Sequence, residues 1–361
     1  MRELFRCVSV SALFVTLAVL MSAAPVAGQE PEQEPADPLQ DLEDWERAEI
    51  QSLVQAVSAA LQGRLTPTEN SFELQPSFFK QADDLTYVPF TVTVDPARIS
   101  ESMVAMYVFV TAHQDPLAAP ADTDSAEEPV PQVPQPVFED AYFIDVSAER
   151  AGGGQIYLSR AFTAPGGDYD VYIAIRDSLG GPVPEDQDPA SVLMIKEEVS
   201  IPNLWTTELQ TSSVLVADLI QPIAEPLTAD EQAEEPYTMG TTRIIPKYGR
   251  SFGQQDELSL ILLVYNPQLT GEQKPDLTIE YNFHQHTGAG EEFFNKTDPQ
   301  QFNADTLPPG WDMALGHQIV TGQAVPLSLF PPGDYRLEIV ISDNEAGTSL
   351  TRDVHFTVQG T

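Results

Sequence analysis

His284 and His286 stand one residue apart. On an extended strand alternate side chains share a face, so both imidazoles can turn toward one metal ion. The same face carries Thr278, Glu280 and Asn282, and the opposite face carries Leu277, Ile279, Tyr281 and Phe283. The pair thus continues the polar side of an amphipathic strand. Glu280 is two alternations from His284, roughly 13 Å at strand rise and too far to complete a coordination shell. A third ligand has to come from another strand. With one, His284 and His286 make the chain a metal-dependent hydrolase; without one, they are an exposed strand face. No other metal ligands are assigned.

Acid-rich stretches offer a second chemistry. Calcium takes six to eight oxygen ligands. Asp122-Thr123-Asp124, Glu185-Asp186-Gln187-Asp188 and Asp343-Asn344-Glu345 carry such oxygens, but none follows the EF-hand spacing or a nonapeptide repeat. With 55 Asp and Glu residues in the chain, clusters of this kind arise by chance. For the same reason no carboxylate pair stands out as a glycosidase would require. There is no His-Glu-x-x-His, Walker loop or dinucleotide fingerprint. Gly152-Gly153-Gly154 lacks the Lys-Ser/Thr that a phosphate loop needs and reads as a turn. No catalytic residue and no cofactor is assigned, and the chain reads as a non-enzyme. Trp205, Trp311, Phe293 and Phe294 sit in loop-like contexts, where rings either plug the ends of a core or stack on sugars.

The elements that must position these residues are strands. From Leu85 the pattern has period two: Val88, Phe90, Val92 and Val94 alternate with Pro89, Thr91 and Thr93. Val104 to Thr111 is apolar on both faces, as in a central strand. An internal repeat then organises the chain. Pro165-Gly166-Gly167-Asp168-Tyr169 leads into Val171, Ile173 and Ile175, and Pro332-Gly333-Asp334-Tyr335 leads into Leu337, Ile339 and Ile341. In both copies Pro-Gly turns the chain and the alternating apolar residues define one face. Tyr169 and Tyr335, near the start of a penultimate strand, fit either a tyrosine corner or a plain core tyrosine. Upstream, the strands ending at Asp95-Pro96 and Asn266-Pro267 also correspond. The span from opening to closing strand is about 115 residues in one copy and about 100 in the other, as suits a sandwich.

These patterns predict an all-β chain of two tandem immunoglobulin/fibronectin-III-like sandwiches, at 66–203 and 204–361, with a disordered Pro, Ala and acid insertion at 115–136. An amphipathic helix is expected over 41–63, where Leu42, Trp45, Ile50, Leu53, Val54, Val57 and Leu61 gather on one side before Gly63. Residues 1–28 read as a signal peptide: Arg2 and Arg6 precede an apolar run from Val8 to Met21 and a small-residue stretch ending at Gly28. Residues 29–40 read as an acidic Pro-rich spacer. Cys7, the one cysteine, lies in the leader, so the mature chain has neither disulfides nor thiol chemistry. A net charge of −38 disfavours nucleic acid and anionic membranes as partners.

The segments Ser212–Leu219, Ile244–Pro246, Val264-Tyr265-Asn266, Lys274–Tyr281 and the Pro-Pro-Gly-Asp-Tyr turn follow one another in order. Over Asn203 to Thr361 this series resembles the C-terminal β-rich region of exported proteins of the acidobacterial type, associated with von Willebrand factor A-related or GWxTD modules. The resemblance implies an exported sandwich. The Asp-x-Ser-x-Ser and Gly-Trp-x-Thr-Asp motifs are absent, and Gly310-Trp311-Asp312 does not replace the latter, so no functional residue is carried over. The resulting expectation is an exported binding or adaptor protein of the bacterial envelope, in the periplasm or outside the cell. Its partner is another envelope or extracellular protein, and its mature chain does not insert in membranes. A carbohydrate-binding module is the alternative, and the hydrolase built on His284 and His286 is the second.

Overall fold

The structure is a computed structural model that describes residues 42–67, 72–113, 134–148, 154–182, 184 and 190–360. The expected leader, the spacer, the 115–136 insertion up to residue 133, Asp122–Asp124, Glu185–Asp188 and Gly152–Gly153 lie outside the described residues. The fold is all-β with few helices, and it divides into two compact units. The N-terminal unit comprises the described residues of Pro25–Pro76 and Gln81–Asn203. The C-terminal unit comprises Ser77–Lys80 and Leu204 onward. Residues 77–80 thus belong with the second half of the chain, which the pattern of strands did not foretell. Phe78 exchanges hydrogen bonds with Ser213, and the Lys80 ammonium donates to Asn266 Oδ1 at 2.7 Å.

The N-terminal unit opens with helix α1 (Asp44–Leu61), where Glu43 and Glu46 form a reciprocal capping box and Gly63, at φ +66°, ends the last turn. Strands β1 (Phe72–Pro76), β3 (Leu85–Val94) and β6 (Ile156–Pro165) form one antiparallel group; β2 (Phe79–Lys80) belongs to the other unit. Strands β4 (Met103–Ala112), β5 (Phe138–Asp145), β7 (Gly167–Ser178) and β8 (Leu193–Ile201) form a second sheet in the order β5–β4–β7–β8. The Phe162 ring on β6 packs 6.0 Å from Phe90 on β3 and 5.7 Å from Phe138 on β5, joining the two groups across the core. Strand β4 is apolar on both faces because both are covered. Ala105, Tyr107 and Phe109 pack with Tyr172, Ala174 and Met194 under Ile50, Leu53 and Val57 of α1.

The C-terminal unit repeats the plan. Strands β9 (Gln210–Thr211), β10 (Leu215–Pro222), β11 (Thr242–Pro246), β13 (Glu257–Tyr265) and β17 (Ile319–Pro326) form one sheet in the order β11–β10–β13–β17, with β9 also on β13. A short helix, α2 (Ala229–Glu234), lies between β10 and β11. Strands β12 (Ser251–Gly253), β14 (Leu277–Thr287), β15 (Gly290–Lys296), β16 (Gln300–Phe302), β18 (Gly333–Asp343) and β19 (Thr348–Gln359) form the other, ordered β12–β19–β18–β14–β15, with β16 also on β14. Leu258, Leu260 and Leu262 from the first sheet meet Leu277, Ile279, Tyr281, Leu337, Ile339 and Phe356 from the second in one core. Burial of such side chains is the dominant stabilising term. Gly322 on β17 is a close approach: a Cβ there would lie 2.3 Å from the Leu260 carbonyl oxygen. Among the described residues no helix is long and apolar enough to cross a membrane.

Candidate functional site

The register of β14 fixes what surrounds His284 and His286. Leu277, Ile279, Tyr281 and Phe283 point into the core, so the even-numbered residues face outward. His284 pairs with Arg336 on β18, and Arg336 pairs in turn with His355 on β19. On the other side β15 sets Glu291 opposite His286 and Phe293 opposite His284. The result is a flat polar lattice spanning β15, β14, β18 and β19.

Arg336 is its centre. The guanidinium donates to both Glu291 oxygens at 2.6 and 2.9 Å, to Glu338 at 3.1 Å and to Asp353 at 2.6 Å. The Arg336 hydrogen bonds hold the Glu291 carboxyl down at about 2, and the same bonds push Arg336 still further up. The imidazoles stand farther off: His284 lies 3.8 Å from Glu291 and from Glu338, and His286 lies 3.7 Å from Glu291. His286 stacks on His355 at 6.3 Å. The carboxylate nearest both histidines is therefore already committed to an arginine. A fixed positive charge beside two imidazoles opposes a metal cation there. His284 and His286 do lie on one face, but no third ligand closes on them among the described residues.

The remaining candidates fall elsewhere. Phe293 and Phe294 are on β15 rather than in a loop, because the hairpin after Thr287 is tight. Phe294 packs against Phe330 and Tyr335, while Phe293 is 60% exposed. Trp311 is a core residue at 4% exposure, and its carbonyl accepts from the Lys274 ammonium. Trp205 is 40% exposed, with the Lys80 ammonium 4.1 Å above its ring. Asp343-Asn344-Glu345 is a turn: the buried Asp343 carboxylate accepts from the backbone of Gln268 and Ala346.

Tyr169 and Tyr335 each bond back to the backbone, the corner geometry rather than plain packing. Their hydroxyls donate to the carbonyls of Pro165 and Pro331 at 2.9 and 2.7 Å. Aligned on these bonds, Gly333 corresponds to Gly167, and Gly166 stands level with Pro332. The two glycines singled out in the repeat serve different needs. Gly333 has φ +152°, whereas a Cβ on Gly166 would meet the Asn203 backbone at 2.7 Å.

One cluster has no signature in the sequence. His113, just beyond β4, Asp170 on β7 and Glu198 on β8 bring ligand atoms within 4.8 Å of one another. Fifty-seven residues separate His113 from Asp170, so only the sheet register reveals the group.

The described residues thus define an all-β, sandwich-like protein with a flat, ion-paired sheet face. No family model matches the chain, and no curated protein matches it. Among solved structures it is similar to trypsin-activated alpha-2-macroglobulin from Escherichia coli, at 9% identity over 82% of this chain and 17% of that one, with a TM-score of 0.21. It is also similar to a mutant of Salmonella alpha-2-macroglobulin, at 11% identity over 81% of this chain and 17% of that one, with a TM-score of 0.17. The chain spans less than a fifth of the length of either protein. At these TM-scores the likeness carries no inference about function.

Proposed function

We propose that the chain is an exported, non-enzymatic binding protein of the bacterial cell envelope, made of two tandem immunoglobulin-like sandwiches, that holds another envelope or extracellular protein. The observation that carries the reading is the free edge beside the lattice: β15 ends its sheet and presents Phe293 outward next to the Arg336 network. An edge strand offers unpaired backbone groups to an added strand, and an exposed aromatic is a common anchor. Arg336, placed where a catalytic metal would be needed, favours binding over hydrolysis.

Further support comes from strand order. In both units the strand pairs β3–β6 and β13–β17 oppose β4–β7–β8 and β14–β18–β19, and a tyrosine corner opens each penultimate strand. Export is supported by the leader-like pattern of residues 1–28, with periplasm and exterior as its two destinations. The carbohydrate reading would want a planar row of exposed aromatic hydrophobics, and on this face Phe293 is the one exposed large hydrophobic among the described residues. Crosslinking co-purification of the tagged chain from its native envelope tests the proposal. One reproducible protein partner is expected; polysaccharide alone would replace the reading with glycan binding.

A further inference from the structure

The face of the β4–β7–β8 sheet that carries α1 also gathers three ligating side chains, with Asp170 buried between His113 and Glu198. Thr111 pairs with Asp170, which brings His113 alongside it, and Asp170 pairs directly with Glu198. His113 Nδ1 lies 2.8 Å from Asp170 Oδ1, and the Lys196 ammonium lies 3.0 Å from Asp170 Oδ2. Two carboxylates directly opposite on adjacent strands repel each other. Lys196 supplies one compensating charge. A nitrogen ligand thus stands beside two carboxylates, on a face where His113 and Glu198 are reachable from solvent.

We propose that His113, Asp170 and Glu198 form a divalent metal site of the class that takes zinc, with an outward coordination position left open. One imidazole nitrogen with two carboxylates suits zinc or a related transition metal, and falls short of the oxygens calcium requires. The metal takes the place of the proton shared between His113 and Asp170, which leaves for the other ring nitrogen or for solvent. Lys196 keeps its contact with the second Asp170 oxygen, and no electron changes hands. This site is separate from His284 and His286.

Calorimetric titration of zinc chloride into the purified chain tests the assignment, with cobalt absorption as a second readout of ligand geometry. One equivalent is expected, with a Kd of about 10 µM or tighter. The His113→Ala variant is expected to weaken binding about 100-fold, and His284→Ala with His286→Ala to leave it unchanged. Should His113→Ala misfold by circular dichroism, Glu198→Gln at an exposed position serves instead, with loss of the cobalt spectrum as its readout. Absence of saturable binding, or one-equivalent binding that survives these substitutions, overturns the proposal.

Discussion

Tyr335 donates its hydroxyl to the Pro331 carbonyl at 2.7 Å and so fixes the turn that feeds β18 into the core. Tyr335→Phe keeps the ring and leaves that carbonyl without its partner. The expected cost is about 1 kcal/mol, read as a lower denaturant midpoint with an unchanged slope. Tyr169→Phe, acting on Pro165, should cost a similar amount, and a change near zero in both would show that packing alone places these rings.

Arg336 binds three carboxylates on one face. Because Glu291 titrates at about 2 when folded, its contribution is full above the ordinary carboxylate value of about 4.3 and is lost as pH falls through about 2. Acid unfolding of Arg336→Gln should therefore show a shallower loss of stability across that window than the parent chain. At pH 7 the substitution should lower stability, because it leaves Glu291, Glu338 and Asp353 facing one another. Equal acid slopes in the two proteins would contradict the assignment.

Glu49 presents the opposite sign. It is 3% exposed on the buried side of α1, and burial raises its carboxyl. Ser178 and Arg176 lie close enough to lower the value, yet neither closes a hydrogen bond on its oxygens. The folded unit prefers the protonated acid. That contribution is full below the ordinary carboxylate range and is lost as pH rises through the raised value. Glu49→Gln should stabilise the chain at pH 7 by about 1 kcal/mol and add little at pH 4, as thermal melts at the two pH values would record.

The parts of the fold visible in the sequence were those with a local period. Leu277 to Phe283 and Tyr335 to Ile341 alternate because one face of each strand is core. The helix was visible because Ile50, Leu53 and Val57 recur at helical spacing. Placement of the face beside His284 was not visible, since Glu291 and Arg336 reach it through register with β15 and β18 rather than through spacing. The same holds for His113, Asp170 and Glu198. Trp311 does sit between elements and plug the core, whereas Phe293 and Phe294 fall on a strand, because aromatics among polar residues give no sign of pairing.

Phe293 packs little, so its role is separable from stability. Phe293→Ser should change the unfolding free energy by less than about 0.5 kcal/mol. A larger loss would show that the ring is structural.

Co-purification after crosslinking, run in parallel with the parent chain and the Phe293→Ser variant in their native envelope, tests the binding reading most directly. The account predicts one protein partner recovered with the parent and lost with a variant that melts like the parent. Recovery of the same partner by both chains, or of no protein by either, would contradict it.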